Sequence, residues 1–342
     1  MSEWNSRRSL FDPPESLDSW DRCTGEPYRL IGVDEAGYGP NLGPLVIAAT
    51  DWRVPGQCLP ESLYEILAGG ITPTAQEASD GRVLVADSKI VHQSSAGIRR
   101  LEISACALLE AAGIRVQSFR QVLAETTPNR QGEISAVPWY SEDVSLPLSG
   151  AVEEIRQAAQ RLHATMCQAN VALVGVRVDL VPAALFNVEL ERYGTKGRVL
   201  SERSLRLLRR MVDRHPSPER TRCVCDKHGG RSSYGALLAA AFETNRIACV
   251  RETPQLSEYS IGSVHVRFCC RAERFVPVAA ASVIAKYLRE VAMHAFNRYW
   301  QNVVRGVRPT KGYPADARRF YAEIRHALPR CGVDERTLWR RR

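Results

Sequence analysis

Four acidic side chains in this sequence stand where chemistry is possible. Asp34 and Glu35 are adjacent at the end of the apolar run Tyr-Arg-Leu-Ile-Gly-Val that begins at Tyr28, and the glycine-rich turn Ala-Gly-Tyr-Gly-Pro follows them. Side chains alternate across a strand, so neighbouring acids reach one point in space only if the backbone turns, which glycine permits. Asp226 repeats the setting after Cys-Val-Cys and before Lys-His-Gly-Gly, and Glu273 precedes Arg-Phe-Val-Pro and an alanine-rich segment. Taken singly, each has a plainer reading. Asp34 and Glu35 also fit solvated charges at a strand end, Asp226 a turn or N-cap aspartate, and Glu273 a surface glutamate. Asp179, after another apolar run, competes with Asp226. Carboxylates that do converge repel one another and repel a phosphodiester. Hard divalent cations reconcile them.

The elements that must position these acids follow from periodicity. Residues 1–27 are polar, carry Pro13-Pro14 and read as an arm. Tyr28–Val33 is expected to be a buried strand ending at Asp34-Glu35, and Pro44–Thr50 its returning partner. A helix is expected near 95–113, a strand at Ile114–Phe119, and a loop or insertion over 124–150, which carries three prolines and two glycines. A helix over 152–169 and a strand at Ala172–Leu180 follow. Residues 201–214 predict an amphipathic helix, with Leu205, Leu208 and Val212 on its apolar stripe. Arg203, Arg206, Arg210 and Arg214 lie opposite, as a solvated face or one that lies along a duplex. Arg222–Cys225 reads as a strand ending at Asp226. A helix near 233–243, strands near 247–251 and 261–270, a long helix near 278–299 and a last helix near 314–327 complete the chain. Strands alternating with helices after a hairpin give an α/β fold with a mixed sheet, and ligand sites in such sheets gather at strand ends.

The motifs carry a resemblance. Asp34-Glu35-Ala-Gly-Tyr-Gly-Pro with the downstream Gly-Pro-Leu-Val-Ile-Ala-Ala, then Asp87-Ser88-Lys89, then Ala279-Ala-Ala-Ser-Val-Ile-Ala-Lys286, then Thr310-Lys311-Gly312-Tyr313-Pro314 occur in one order over roughly residues 28–328. This series resembles the ribonuclease HII and HIII family. The resemblance implies an RNase H-like fold, with a mixed central sheet flanked by helices. It implies a catalytic domain over 28–300 with the insertion near 124–150, and a helical, substrate-contacting extension over 301–342. Asp34, Glu35 and Asp226 match the first three catalytic acids and Glu273 the fourth. Together they are expected to hold two Mg²⁺ or Mn²⁺ ions. The implied reaction is endonucleolytic hydrolysis of the RNA strand of RNA–DNA hybrids, leaving 5′-phosphate and 3′-hydroxyl ends. Gly37, Tyr38 and Gly39 match the substrate-reading loop, Lys89 and Lys311 are candidate phosphate contacts, and Tyr313 is a candidate for stacking beside the cut. Glu273 is the HIII-type residue, whereas Tyr313 is the tyrosine that the HII type uses at an RNA–DNA junction. Tyr38 stands where the HII type has arginine, which predicts weaker recognition of a single embedded ribonucleotide.

Composition agrees with a nucleic-acid partner. The 342 residues include 46 Lys+Arg against 38 Asp+Glu, a net charge of +8, and a basic surplus favours polyanions. The ten cysteines show no Cys-x-x-Cys spacing, which leaves reduced, buried thiols rather than zinc or a disulfide framework. No apolar run approaches the ~20 residues that cross a bilayer, and the N-terminus lacks a signal-peptide core. A cytoplasmic monomer without membrane contact is expected. Three other functions stay in view: a nuclease of the same fold acting on structured DNA, a non-catalytic hybrid-binding homologue, and a metal-dependent phosphatase on small molecules. The basic balance and the Lys-Gly-Tyr element disfavour the last.

Overall fold

The computed structural model describes residues 25–86, 91, 98–128, 130–214 and 220–341. Most of the expected arm, and all of Asp87-Ser88-Lys89, lie outside the described residues.

The chain opens with an antiparallel hairpin, β1 (Tyr28–Ala36) and β2 (Leu45–Val54). Two short strands, β3 (Ile71–Thr72) and β4 (Val83–Leu84), pair apart from the main sheet. The remaining strands are β5 (Ala172–Val181), β6 (Thr221–Asp226), β7 (Ala248–Glu252), β8 (Leu256–Ile261) and β9 (Val264–Cys269). They complete a seven-stranded sheet in the order β5-β2-β1-β6-β9-β8-β7. The centre, β1-β6-β9, is parallel and the flanks are antiparallel. This is the mixed α/β architecture expected from the sequence.

Helices cover both faces, as a sheet with a parallel centre requires. The longer ones are α1 (Ile98–Ala111), α2 (Phe119–Thr126), α3 (Val152–Gln168), α4 (Ala183–Tyr193), α5 (Lys196–Arg214), α6 (Gly235–Phe242), α7 (Val276–Val303) and α8 (Pro314–Ile324). On one face α7 lies on β1 and β2, backed by α1 and α3. On the other, α4, α5 and α6 close over Ile31, Val33, Ile47 and Cys223. The approach of α7 to β1 is tight. A Cβ on Gly32 would sit 2.3 Å from the Pro277 carbonyl carbon, and the Thr50 hydroxyl donates to the Pro277 carbonyl at 2.7 Å. Glycine at position 32 is what lets the alanine-rich start of α7 seat directly on the strand that carries Asp34.

Several local expectations need correction. Strand β1 does not stop at Val33; it runs through Asp34 and Glu35 to Ala36, paired with Ala48, Ile47 and Val46. Residues 114–119 form no strand. Ser118 makes a single bridge with Ser145, and its hydroxyl caps α2 by accepting from the Gln121 amide at 3.2 Å, a helix-start signal that outweighs the strand-like alternation of Ile114 and Val116. The 124–150 stretch is packed rather than a bare loop. Short helical turns at Gln131–Ser135 and Pro138–Tyr140 seat Trp139 edge-on against Phe296 of α7, with centroids 5.0 Å apart. The strand expected near 261–270 is the second arm of the β8–β9 hairpin, which reverses at Gly262 with φ +58°. Helix α4 was not expected, and α5 begins at Lys196, five residues before its predicted start. The arginine face of α5 is divided. Arg203 is buried and paired to Asp179 and Glu189, whereas Arg210 and Arg214 are exposed.

Candidate active site

Parallel pairing in the sheet centre brings the four acids to one end. Val33 on β1 stands opposite Cys225 on β6, so the next residues along, Asp34 and Asp226, lie side by side. Asp226 in turn stands opposite Cys269 on β9. Beyond β9 the chain turns through Arg271 in the left-handed region (φ 57°) into a single helical turn, Ala272–Arg274, that carries Glu273. Two hydrogen bonds hold this turn. The Asp226 carboxylate accepts from the Ala272 amide at 3.2 Å, and the Tyr64 hydroxyl donates to the Glu273 carbonyl at 3.2 Å.

β1 continues through both acids and ends one residue later, so Asp34 and Glu35 stand at the strand end, and both line the cleft beyond it. Asp34 faces α7, where the Ser282 hydroxyl bonds its carboxylate. Glu35 turns toward Tyr38, whose phenol is held above its ordinary pKa first by burial and then by the Glu35 charge. All four acids line one cleft of about 300 Å³ together with Gly37, Tyr38, Gly39 and Tyr313. Burial, the adjacent Glu35 and the nearby Asp226 raise the Asp34 carboxyl well above the ordinary carboxylate range. Among the described residues no three acid, histidine or cysteine side chains form a ready-made cation cage. The donors nonetheless suit a hard divalent ion. They are carboxylate oxygens around one space, and their mutual repulsion is what a cation relieves.

The substrate-side candidates separate. Tyr38 and Tyr313 are among the few large apolar side chains that remain exposed, at 39% and 51%. Gly37 has φ +87°, and a Cβ there would come within 2.6 Å of the Pro44 carbonyl oxygen and of Arg289. Gly39 has open space where a Cβ would stand. The Lys311 side chain is exposed and does not line the cleft; its carbonyl accepts from Arg289 at 3.0 Å. Lys89 is outside the described residues. Asp179 is not at the cleft; it is buried and bound by Arg130 and Arg203.

Sequence reasoning passed over the groups that brace this site. Ser282, Lys286 and Arg289 line the cleft at spacings of four and three, one face of a helix, and that spacing was the available signal. Lys286 pairs with Glu290 at 2.7 Å. Arg289, 2% exposed, lies between Gly37 and the Lys311 carbonyl. Gly312 (φ +82°) docks on the same loop: its carbonyl accepts from the Asn41 amide at 2.8 Å, and a Cβ would meet the Leu42 carbonyl oxygen at 2.4 Å. From the far end of the chain, Arg340 donates to the Gly37 carbonyl at 2.6 Å and to the Pro40 carbonyl. The Arg340 amide donates to the Asn41 carbonyl at 2.8 Å. Burial, followed by the charge of Arg289, pulls the Arg340 guanidinium down to about 9.

Three solved structures similar to this chain are named as ribonucleases H. One is the ribonuclease H2 of Pyrococcus horikoshii OT3, 15% identical, with 91% of this chain and 92% of that one covered and a TM-score of 0.41. Another is the RNase HII of Archaeoglobus fulgidus, from a complex with PCNA, 17% identical, with 92% and 94% covered and a TM-score of 0.43. A third is Bst-RNase HIII in complex with Mn²⁺, 18% identical, with 98% and 72% covered and a TM-score of 0.42. No family model and no curated protein matches the chain.

Proposed function

We propose that this protein is a divalent-cation-dependent endoribonuclease that cuts the RNA strand of RNA–DNA hybrids and leaves 5′-phosphate and 3′-hydroxyl ends. One observation carries the proposal. Asp34, Glu35, Asp226 and Glu273, contributed by β1, β6 and the turn after β9, line a single cleft that also contains the Gly37–Gly39 loop and Tyr313.

The chain's own groups divide the work. The four carboxylates would hold the ions, Mg²⁺ or Mn²⁺, and Ser282 fixes the orientation of the Asp34 carboxylate. Bound cations supply an activated water and neutralise the charge that develops on the leaving 3′ oxygen. Gly37, Tyr38 and Gly39 line the cleft, where the backbone amides of the two glycines would be unobstructed by side-chain bulk. They suit contact with a 2′-hydroxyl in the wide, shallow minor groove of a hybrid. The exposed ring of Tyr313 offers a surface for a sugar or base beside the cut, and Lys311 lies within the same segment for a phosphate. Tyr38 lacks the charged fork of arginine, so cutting at a single embedded ribonucleotide is weaker than cutting of a continuous RNA strand.

Asp34→Asn tests the proposal. Cleavage of a uniform hybrid falls by about a thousandfold, while the affinity for hybrid, read by fluorescence anisotropy in a chelating buffer, stays within a factor of about two. Retention of most of the cleavage activity would contradict the assignment of the site.

A further inference from the structure

A second cleft, of about 330 Å³, lies at the opposite end of α5 between that helix, edge strand β5 and the segment after α2. Four arginines line it: Arg130, Arg177, Arg210 and Arg214. We infer that this cleft is an anion site that takes a phosphate group, the phosphodiester of a nucleic-acid strand whose cut point lies in the acid-lined cleft.

The charges are arranged for a ligand rather than for one another. Asp213 is the only acid lining the cleft among the described residues, and it is already engaged by Arg209 at 2.5 Å. Among the described residues neither Arg210 nor Arg214 has an ion-pair partner. Arg214 reaches across β5: a Cβ on Gly175 would stand 2.4 Å from its guanidinium nitrogen. That places it beside Arg177, whose guanidinium is held below its ordinary pKa first by burial and then by Arg214. Arg130 is 7% exposed; two of its nitrogens bind Glu133 and Asp179, and the third is buried with no hydrogen-bond partner among the described residues. Like charges crowded at a sheet edge, with an unused buried donor among them, are stabilised by an oxyanion. Guanidinium forks match the oxygens of phosphate.

Helix α5 connects this cleft to the acid-lined one. Its first turn lies under the reading loop, where a Cβ on Gly197 would be 3.7 Å from the Tyr38 hydroxyl. Arg210 and Arg214 are about 20–25 Å further along the axis, at 1.5 Å per residue. A nucleic-acid strand advancing about 3.4 Å per nucleotide covers that distance in roughly six or seven steps. A free phosphate offers the same chemistry. The choice of nucleic acid as its source rests on the proposed nuclease function, whereas the anion site does not.

Two arms decide the matter, neither of which reads cleavage. Arg210→Gln/Arg214→Gln alters two exposed side chains, and its circular dichroism is expected to match wild type. In the first arm, binding of a long RNA–DNA hybrid is followed across a salt series in a chelating buffer. The variant is expected to bind about tenfold more weakly, with a log–log salt slope smaller by about two. In the second arm, inorganic phosphate is expected to raise the Tm of wild type but not of the variant. Phosphate protection lost in the variant with an unchanged salt slope keeps the anion site and rejects nucleic acid as its source. No change in either arm overturns the proposal. If the double variant misfolds, Arg210→Gln alone is expected to reduce the slope by about one. Binding as described by a protein that cuts no hybrid would sink the nuclease function and leave this site standing.

Discussion

Without cations the ionised form of Asp34 is disfavoured: burial, then the charge of Glu35 and that of Asp226, raise its carboxyl well above the ordinary carboxylate range. A carboxyl whose folded pKa is raised above its unfolded value loses stability as the pH climbs from the ordinary carboxylate range through the raised pKa, and the loss is complete above it. Asp34→Asn is therefore expected to raise the Tm of the cation-free protein at neutral pH while it removes activity. A scan in a chelating buffer checks this, and a lower Tm would show that Asp34 is not under strain from its neighbours. The same raised proton affinity predicts that Mg²⁺ binding weakens as the pH falls, starting above the range in which isolated carboxylates titrate. Isothermal titration across pH measures it; an affinity that holds steady down to the normal carboxylate range would contradict the coupling.

At the scale of elements, two glycines separate strain from contact. Gly312 and Gly306 both have positive φ, +82° and +81°, but only Gly312 would press a Cβ against the Leu42 carbonyl oxygen; nothing lies within 4 Å at Gly306. Gly306→Ala is expected to cost about 1–2 kcal/mol from the left-handed backbone alone and to leave cleavage of bound hybrid unchanged. Gly312→Ala is expected to cost more and to reduce cleavage, because the Lys311–Tyr313 segment loses its seat on the reading loop. Equal effects in denaturation and turnover would mean that the docking contact is idle. The legibility of the sequence follows the same division. Apolar runs ending in acid and glycine marked β1 and β6 and drew attention to Asp34, Glu35 and Asp226, whereas Glu273, locally a plain surface glutamate, was reached only through the family resemblance. The continuation of β1 through two acids was hidden, because its pairing with Ala48 and Ile47 is a tertiary fact. Residues 114–119 misled because a short alternation of apolar and polar residues is a weaker signal than the Ser118 cap, which starts a helix at Phe119. Ser282 and Arg289 were obscured inside an alanine-rich helix that reads as packing.

Across the whole molecule, distant parts of the chain fix the site. Arg340 acts on Gly37 and Pro40 from 303 and 300 residues away, a link that no local pattern encodes. Arg340→Met leaves two carbonyls without their charged donor, and hydrogen bonds to charged groups contribute about 1.5–3 kcal/mol each. The variant is expected to lose stability on that scale and to cut hybrid about tenfold more slowly; unchanged turnover would show that the reading loop stands without the tail. The buried Arg29–Asp51 pair, at 2.5 Å, ties β1 and β2 to the carbonyls of Met211 and Val212 at the end of α5. Asp51→Ala strands a buried guanidinium and is expected to cost about 3–5 kcal/mol in chemical denaturation. Among the described residues no helix is long and apolar enough to cross a membrane.

In the proposed function, the four carboxylates that β1, β6 and the turn after β9 contribute to one cleft cut RNA paired to DNA with the help of a divalent cation. The most direct measurement is a single panel: a uniform RNA–DNA hybrid and the DNA duplex of the same sequence, each with Mg²⁺, with Mn²⁺ and with chelator, followed by analysis of the product ends. The proposed function predicts that only the hybrid is cut, only with cation, and that the products carry 5′-phosphate and 3′-hydroxyl ends. Cutting of the DNA duplex at a comparable rate, or of the hybrid in chelator, would contradict it.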